Sequence, residues 1–383
     1  MKKLICFVLT FSIVTVCSPK FEKSEKIMED GVEVIVNQKE PYKIEGKANL
    51  LHLEKEFSID TEKDEVISTG LLDIQHFDVD DEGNLYFSSL KNSENCIFKF
   101  DSEGNFLLSF GRKGQGPGEF QFPGMVSAQK AEISVTDLTK VVFFDREGQL
   151  LREIPKDSLK VFVIPMSNNK FLVRERIMDR TDQRSQYSAL IIYDPAFNII
   201  KEIIRVTLQN PLKGQGFRAI VPMYFFSISG DKIYEGNTER GYEICVYNSN
   251  GNLLKKIRKN YDPVVITEEN KKNLLKQYKS LPEEIKKTIH FPENFPPFQY
   301  FFSDDEGRLF VMTYEEGQKP RYFLYDIFNT EGIFVGRIEL DNCSQLDDQT
   351  YPLPAVAQKN LLYCLCEKNS GYKELVVYRM IWK

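Results

Sequence analysis

The sequence has little of what nucleic-acid-binding proteins, zinc enzymes and integral membrane proteins need. Its 383 residues carry a formal net charge of -6, so no excess of positive charge attracts a phosphate backbone. The three histidines, His52, His76 and His290, are too scattered for a site with three histidine ligands to zinc. One apolar run, Leu4 to Val16, is shorter than the roughly 20 residues that span a bilayer.

The cysteines give no disulfide framework. Of the seven, Cys6 and Cys17 lie at the N-terminus, and the remaining five follow no regular spacing. Within this group Cys364 and Cys366 alternate along an apolar segment, so on a strand both thiols face one side, about 7 Å apart. We expect buried, small apolar side chains rather than metal or redox groups at Cys96, Cys245, Cys343, Cys364 and Cys366.

The N-terminus has the proportions of an export signal. Lys2 and Lys3 precede the apolar run, and Cys17 follows it, which predicts a signal peptide over residues 1–17. The segment Val14 to Cys17 looks like a bacterial lipobox, except that Val16 stands where that pattern has Gly, Ala or Ser. We therefore predict export and lipidation at Cys17, with attachment to the bacterial cell envelope only through this anchor, or ordinary secretion as the alternative. Residues 18–30 are predicted as a tether and 31–383 as one domain.

A unit of four short strands recurs along the rest of the chain. In its clearest copy, β-branched and aromatic runs alternate with turns that contain Gly-Asn pairs, which supply the positive φ of a tight hairpin. The four runs of this copy are Phe77–Asp80, Leu85–Phe87, Ile97–Phe100 and Phe106–Phe110. This pattern predicts an all-β chain built from antiparallel hairpins.

Turn counting gives the architecture. Turns between strands one and two recur at Asp81–Asn84, Lys130–Glu132, Asn168–Asn169, Gly230–Asp231, Asp304–Gly307 and Gln358–Asn360. Turns between strands three and four recur only at Asp101–Asn105, Asp145–Gly148, Asp194–Asn198, Asn248–Gly251 and Asn329–Gly332. The last unit thus lacks a fourth strand, which an early strand, Gly31–Asn37 or Leu50–Ile59, can supply. We predict a six-bladed β-propeller with four-stranded antiparallel blades, closed by an N-terminal strand.

One glycine-rich stretch, Gly111 to Gly124, reads GRKGQGPGEFQFPG. Its glycines and Pro117 exclude a helix, and it lacks the Gly-Lys-Ser/Thr end of a phosphate-binding loop. The stretch resembles the signature of NHL repeats, with weaker copies at Pro211–Pro222 and Phe295–Phe298. The chain after the tether resembles the six-bladed propeller lipoproteins of bacteria that carry such repeats, which implies a propeller with a ligand face and no particular reaction.

A helical insertion interrupts the repeats at about residues 267–290. Thr267 is a candidate N-cap, with Glu268 and Glu269 in the first turn and apolar residues at helical spacing after them. Pro282 starts a second short helix. Two roles remain open for this insertion, a lid over the axial channel and a plug against a blade edge.

Motifs for catalysis are weak. Asp78, Asp80 and Glu82 resemble the start of a calcium loop, but position twelve is Ser89 instead of the bidentate Glu. Lactonase- and lyase-type propellers hold a metal at the axis, and only His76 adjoins a predicted innermost strand. No Gly-x-Ser-x-Gly motif is present. We therefore predict no catalytic residue, metal or cofactor, and keep a metal-dependent propeller enzyme as an alternative.

The candidate ligand-binding residues lie on what we call the loop face. This face carries the connections between strands two and three of each blade and those between blades. Arginines that converge there can grip a carboxylate or sulfate, although interleaved acids such as Glu175 also fit a solvated loop. Two tyrosines on predicted innermost strands line the channel or pack in the core. The candidates are Arg112, Lys113, Arg174, Arg176, Arg218, Arg240, Tyr224 and Tyr300.

These observations favour a monomeric binding module outside the cytoplasm. Its loop face would recognise a peptide, a glycan or a partner protein, and not nucleic acid. A structural subunit of a cell-envelope complex is a further alternative.

Overall fold

The computed structural model confirms the six-bladed ring. It describes residues 24–43, 51–91, 94–129, 132–178, 186–208, 217–276, 278–279, 281–319, 322–341 and 355–383. Each blade is an antiparallel sheet whose strands follow one another outward from the axis, as the repeated hairpins require.

The first half of the chain forms three blades after an N-terminal segment. That segment contains β1 (Glu25–Glu29), β2 (Val32–Asn37), β3 (Leu51–Asp60) and α1 (Asp64–Ile67). Blade one contains β4 (His76–Val79), β5 (Leu85–Ser88), β6 (Asn95–Phe100) and β7 (Phe106–Arg112). Blade two contains β8 (Val126–Gln129), β9 (Glu132–Thr136), β10 (Lys140–Phe144) and β11 (Leu150–Pro155). Blade three contains β12 (Lys160–Pro165), β13 (Phe171–Met178), β14 (Gln186–Tyr193) and β15 (Ile199–Leu208).

The second half adds three blades and the helical insertion. A two-residue strand, β16 (Phe217–Arg218), precedes blade four, which contains β17 (Tyr224–Ser229), β18 (Lys232–Asn237), β19 (Glu243–Asn248) and β20 (Leu253–Lys259). The insertion carries α2 (Glu268–Lys276), α3 (Glu283–Lys286) and β21 (Ile289–His290). Blade five contains β22 (Tyr300–Ser303), β23 (Leu309–Glu316), β24 (Tyr322–Phe328) and β25 (Phe334–Asp341). Blade six contains β26 (Ala355–Gln358), β27 (Leu361–Glu367) and β28 (Lys373–Trp382).

The ring closes through β3. This strand pairs antiparallel with β28, from Trp382 opposite Leu51 to Glu374 opposite Asp60, and so supplies the missing fourth strand of blade six. Of the two early segments that fitted this place in the sequence, the second is therefore correct. The pairing covers the edge of β28 that would otherwise be free and ties the N-terminal segment to the last blade.

The other early segment extends blade four instead. Strand β2 pairs in parallel with β20, and β1 pairs antiparallel with β2, which makes blade four a six-stranded sheet. The structured chain therefore includes Glu25–Glu29, which lies within the segment predicted as a tether. Buried Asn37 donates to the carbonyl oxygens of Arg258 and Gly332, both at 3.0 Å, and so joins blades four and five.

The hairpins between strands one and two and between strands three and four form the opposite surface, the turn face. In blade two the Asp145 carboxylate accepts the amides of Glu147 and Gln149 at 3.0 and 2.8 Å. Gly148, at φ +80°, lies against the preceding blade, where a Cβ would stand 2.8 Å from the Phe110 ring. The same carboxylate or amide bonding recurs at Asp101, Asp194, Asn248 and Asn329.

Apolar side chains fill each space between neighbouring blades. Six clusters of buried residues alternate with the six sheets around the ring, because successive side chains of a strand point to opposite faces of its sheet. Aromatic rings take part in every layer, for example Phe87, Phe120 and Phe298, which are fully buried. None of the helices in the described part of the chain is long and apolar enough to cross a membrane.

Candidate functional site

The glycine-rich stretch after blade one is a structural wedge. The chain turns back after β7, with the Phe120 amide donating to the Arg112 carbonyl and the Gly114 amide to the Phe120 carbonyl, both at 2.8 Å. Phe120 is fully buried between blades one and two. The hairpin therefore places an aromatic plug between two sheets.

Carboxylates occupy the amides that a phosphate would need in this stretch. Glu119 accepts the amide of Gly116 and Glu153 accepts the amide of Gly118, both at 2.8 Å. Asp137 accepts the amides of the two residues after Phe120. A second anion there would meet like charge, and the amides of residues 116, 118, 121 and 122 already have carboxylate partners, which agrees with the sequence argument against a phosphate cradle. Arg112 and Lys113 are exposed on this hairpin.

Two predicted loop arginines lie on a strand. Arg174 and Arg176 belong to β13, so their placement in a loop was wrong: the alternating pattern of β13 continues to Met178. Arg176 is exposed, whereas Arg174 is buried and its guanidinium lies over the Tyr224 ring at 4.8 Å. Tyr224 Oη is 3.0 Å from Ser188 Oγ. Arg174 and Tyr224 thus pack blade three against blade four.

Arg240 belongs to a chain of alternating charges in blade four. It contacts the buried carboxylate of Glu235 and lies 3.6 Å from Glu243. Glu243 in turn accepts from Arg258 Nε at 2.6 Å, and Arg258 also contacts Glu29 of β1. Burial raises the pKa of Glu235. This chain fastens the N-terminal hairpin to the turn that holds Arg240.

Polar side chains on the inner strands, around the axis of the ring, form hydrogen bonds between neighbouring blades. Asp78 accepts the amide of Ala128 at 2.8 Å, and Ser227 accepts the amide of Ser303 at 3.0 Å. Burial raises the pKa of Asp78 to about 6 and lowers the pKa of His76 to about 4.

Tyr300, on the inner strand of blade five, packs against aromatic rings. Its centroid lies 6.1 Å from that of Phe225 and 6.3 Å from that of Phe302. Burial raises the pKa of its hydroxyl to about 12. Tyr224 and Tyr300 both lie on innermost strands, as predicted, and both take the packing role.

The described residues hold no cluster of three or more His, Cys, Asp or Glu side chains that would bind a metal. The calcium-like sequence forms a turn: Asp80 accepts the amides of Glu82 and Asn84, each at 2.9 Å, and the hydroxyl of Tyr86 at 3.2 Å. With its oxygens used in this way, Asp80 acts as a turn former.

The four described cysteines are free thiols. Three of them are buried, and only Cys366 is partly exposed. Burial raises the pKa of Cys96 to about 11 and that of Cys245 to about 12, so neither is a thiolate at neutral pH. Cys364 and Cys366 pack in the same apolar layer, as their spacing predicts. Cys343 and Cys17 lie outside the described residues.

A concave site on the loop face lies beside blade four, and we call it the proline cleft. Its volume of about 440 Å³ is in the range of small-ligand pockets. Apolar and aromatic groups make up most of the wall, and a few polar groups stand at the rim. The lining residues are Arg218, Ile220, Pro222, Thr238, Glu239, Gly241, Tyr261, His290, Phe291, Pro292, Asn294, Phe295, Pro296 and Pro297.

The helical insertion forms one wall of the proline cleft. At its base, the Phe295 amide donates to the Val264 carbonyl at 2.8 Å, and the Phe295 ring stacks on Tyr314 of blade five at 4.4 Å. At its far end, Tyr278 donates to the Ala219 carbonyl at 2.8 Å. Strand β21 pairs in parallel with β16. These contacts fix the insertion against blades four and five.

The helix start within the insertion agrees with the sequence. Asn270 donates its amide to Thr267 Oγ1 at 3.2 Å and accepts the Thr267 amide at 2.9 Å. This reciprocal bonding is a capping box, so Thr267 is the N-cap as predicted.

A second cavity adjoins the proline cleft at Tyr261, and we call it the polar notch. It has a volume of about 580 Å³ and is lined by Gln38, Lys39, Glu40, Lys259, Asn260 and Tyr261. It opens where the parallel strands β2 and β20 end and their chains diverge. Asn260 Nδ2 donates to Gln38 Oε1 at 3.1 Å across it.

A buried ionic network supports both cavities from below. Lys259 Nζ lies 3.2 Å from Asp326, which also accepts from Tyr242 Oη and Arg337 Nε, both at 2.6 Å. Arg337 contacts Glu315 through both terminal nitrogens. Burial lowers the pKa of Lys259 and raises that of Tyr242 well above its usual value. The network pairs two cations, Lys259 and Arg337, with two carboxylates, Asp326 and Glu315, so these side chains are held in place beside the cavities.

Of the predicted arginines, only Arg218 lines the proline cleft, so the structure does not gather the basic candidates into one anion site. Sequence reasoning missed Tyr261, Gln38 and Asn260. A signal was present, however, because the two weaker copies of the glycine-rich loop, Pro211–Pro222 and Phe295–Phe298, both supply residues to the cleft.

Comparison with known proteins agrees with this architecture. A family model described as "6-bladed beta-propeller", DUF5128, matches residues 74–336. No curated protein matches the chain. Similar solved structures include the WD40 domain of Neurospora crassa Pan2, with 10% identity over 88% of this chain and 97% of that one and a TM-score of 0.36.

Two further solved structures come from bacteria. The calcium-binding protein regucalcin of Agrobacterium tumefaciens has 9% identity over 91% of this chain and 97% of that one, with a TM-score of 0.36. A protein of unknown function from Bacteroides caccae has 12% identity over 75% and 84%, with a TM-score of 0.35. Likenesses at this level say nothing about function. The family match covers most of the ring, and the chain therefore belongs to the DUF5128 family of six-bladed β-propellers.

Proposed function

We propose that this protein is a binding module that takes up its partner in the proline cleft on the loop face. The observation that carries the proposal is the wall of the cleft: Pro222, Pro292, Pro296 and Pro297, with the rings of Tyr261, Phe291 and Phe295, surround about 440 Å³. Such rigid apolar walls lose little side-chain entropy when they bind a partner.

The surroundings of the cleft support this function. The lining residues come from the segment before blade four, the turn after β18 and the return arm of the insertion, and each is held by the bonds described above. A site that is formed before its ligand arrives binds without a large ordering cost.

Ligand-observed NMR with a panel of small aromatic fragments tests the proposal. Fragments should bind the wild type and lose binding to Ile220→Trp, which fills the cleft. Leu138→Trp is the matched control, because Leu138 is exposed on the loop face of blade two. Equal fragment binding to both variants would remove the cleft as the site.

We also propose that the protein is exported and lipid-anchored through Cys17, and that its NHL-like loop marks it as a relative of the bacterial propeller lipoproteins. The charged start, the apolar run and Cys17 after it support this arrangement. Strand β1 runs antiparallel to β2, and β2 runs parallel to β20, so Ser24 enters the fold from the loop face, the same side as the cleft. Cys17→Ser should release the protein from membranes; unchanged membrane association would contradict the anchor.

A further inference from the structure

The proline cleft and the polar notch are two chambers of one groove. They share Tyr261, and their volumes are about 440 and 580 Å³. We infer that the occupant of this groove is an extended segment of a partner protein, which buries an apolar side chain beside Tyr261 and sets an adjacent peptide group on Gln38 and Asn260. The inference rests on the proposed function and adds to it the chemical class of the ligand.

The proline wall of the first chamber fits an apolar side chain better than a sugar. Prolines lack a backbone N–H, so the part of the lining formed by Pro222, Pro292, Pro296 and Pro297 offers no backbone donor to a ligand, and the donors lie on other lining residues such as Arg218, Thr238 and Asn294. A saccharide carries hydroxyl groups on most of its edges, and each one buried without a partner costs about 1–3 kcal/mol. An apolar side chain gains by the same burial. The first chamber therefore fits Leu, Ile, Phe or Pro of a peptide.

The second chamber matches a peptide group. Asn260 Nδ2 donates to Gln38 Oε1 at 3.1 Å, which leaves Gln38 Nε2 as a donor and Asn260 Oδ1 as an acceptor on two residues that line the notch. A backbone peptide group presents one acceptor and one donor. The pair of amides can thus bind the chain of a partner whatever its side chain is at that point.

The charges along the groove select against a membrane surface and against nucleic acid. At one end Arg218 lies 3.8 Å from Glu239, with side chains 63% and 55% exposed, and at the other Lys39 contacts Asp262. Each basic group thus stands beside an acidic one, so the groove has no one-signed field for anionic lipid or a phosphate backbone. Exposed pairs of this kind contribute little by themselves and exchange readily with the charges of a peptide.

The test is selection of a random peptide library displayed on phage against the purified protein, followed by fluorescence polarisation with the enriched peptides. Tyr261→Ala should weaken binding by about tenfold or more, because it removes the wall common to both chambers. Gln38→Ala should weaken it by a smaller factor. Two exposed loop-face residues outside the groove, Tyr372 and Gln121, give the matched controls Tyr372→Ala and Gln121→Ala, which should retain wild-type affinity.

Failure to enrich any peptide, or enriched peptides that bind Tyr261→Ala as tightly as the wild type, would overturn the inference. A glycan panel and phosphatidylglycerol vesicles are measured in parallel. If a glycan or the vesicles bind and Tyr261→Ala abolishes that binding, the inference that the ligand is a peptide is wrong, although the cleft is still the binding site. The fragment experiment tests the proposed function separately. If the cleft is not the binding site at all, Ile220→Trp will bind fragments as well as Leu138→Trp does.

Discussion

The turn face and the loop face of this ring are built in different ways. On the turn face one five-residue turn occurs in blades one to five, and its first side chain accepts the same two amides each time. On the loop face the described connections differ: one carries α1, one the glycine-rich hairpin and one the helical insertion. Repetition on one face holds the ring together, and variation on the other forms the groove.

Neighbouring blades also interlock on the turn face. Arg146 of blade two contacts Asp81 and Glu82 of blade one, Gln358 of blade six donates to the Asp80 carbonyl at 2.8 Å, and Lys255 of blade four donates to the Glu331 carbonyl of blade five at 3.0 Å. Substitutions on the turn face should therefore cost stability, and those in the groove should cost binding.

The largest loss of stability is expected for Gly148→Ala on the turn face. The new Cβ would stand 2.8 Å from the Phe110 ring at a φ of +80°, so steric overlap adds to backbone strain, together about 3–4 kcal/mol. Gly371 on the loop face has the same φ of +80° and nothing within 4 Å. Gly371→Ala should cost only about 1 kcal/mol, from backbone strain. Urea unfolding measures both, and equal losses would contradict the packing role of Gly148.

A smaller loss is expected for Asp80→Ala. This fully buried carboxylate serves two amides and the Tyr86 hydroxyl, and their loss of a partner should cost about 2–3 kcal/mol. The loop-face control is Asp262→Ala, since the Asp262 side chain is 79% exposed and its ion pair is with the exposed Lys39. Its unfolding midpoint should match that of the wild type. A similar loss in both variants would remove the contrast between the faces.

The stability of the fold should depend on pH through two side chains on the inner strands, His76 and Asp78. The pKa of His76 is lowered from 6.5 to about 4, so its contribution is complete above pH 6.5 and is lost as the pH falls toward 4, about 3 kcal/mol in total. Asp78 acts in the opposite sense, because its pKa is raised from 3.8 to about 6 and its contribution is lost as the pH rises over that interval.

His76→Gln isolates the histidine contribution. When the pH is lowered from 7 to 4.5, the urea midpoint of this variant should fall less, or rise more, than that of the wild type, because the Asp78 contribution remains and the His76 contribution is gone. His52→Gln, at an exposed position, is the control and should keep the wild-type difference. An unchanged difference in His76→Gln would show that this histidine does not set the acid response.

The smallest effect on stability is expected in the groove. Tyr261→Ala removes a half-buried ring that contacts Tyr242 at 5.9 Å, at a cost of about 1 kcal/mol. It should nevertheless give the largest loss of peptide binding. Calorimetry and fluorescence polarisation on the same preparation compare the two effects, and a large drop in melting temperature would mean that Tyr261 belongs to the core.

The sequence specifies the turn face well because the chemistry of these turns is local. Asp145, Gly148 and Gln149 bond within one hairpin, so their spacing predicts the turn and the count of turns predicts the ring. Closure by β3 followed from that count, but the choice between two early strands did not, since both alternate. The pairing of β2 with β20 depends on contacts such as Asn37 with Gly332, which lie far apart in sequence.

The sequence specifies the groove poorly for the same physical reason. Tyr261, Gln38 and Pro222 come together only through the parallel pairing of β2 with β20 and the folding of the insertion. Arg174 was predicted in a long basic loop, whereas the structure places it on β13 and buries it over Tyr224. The predicted basic residues therefore located the groove less well than did the two weaker copies of the glycine-rich loop, Pro211–Pro222 and Phe295–Phe298.

The most direct test of the proline cleft as the binding site is a set of crystal structures of the protein soaked in small organic solvents such as isopropanol. Bound solvent molecules from different soaks are expected to cluster beside Tyr261 in the proline cleft. Clustering in the axial channel or on the turn face, with the cleft empty, would contradict it.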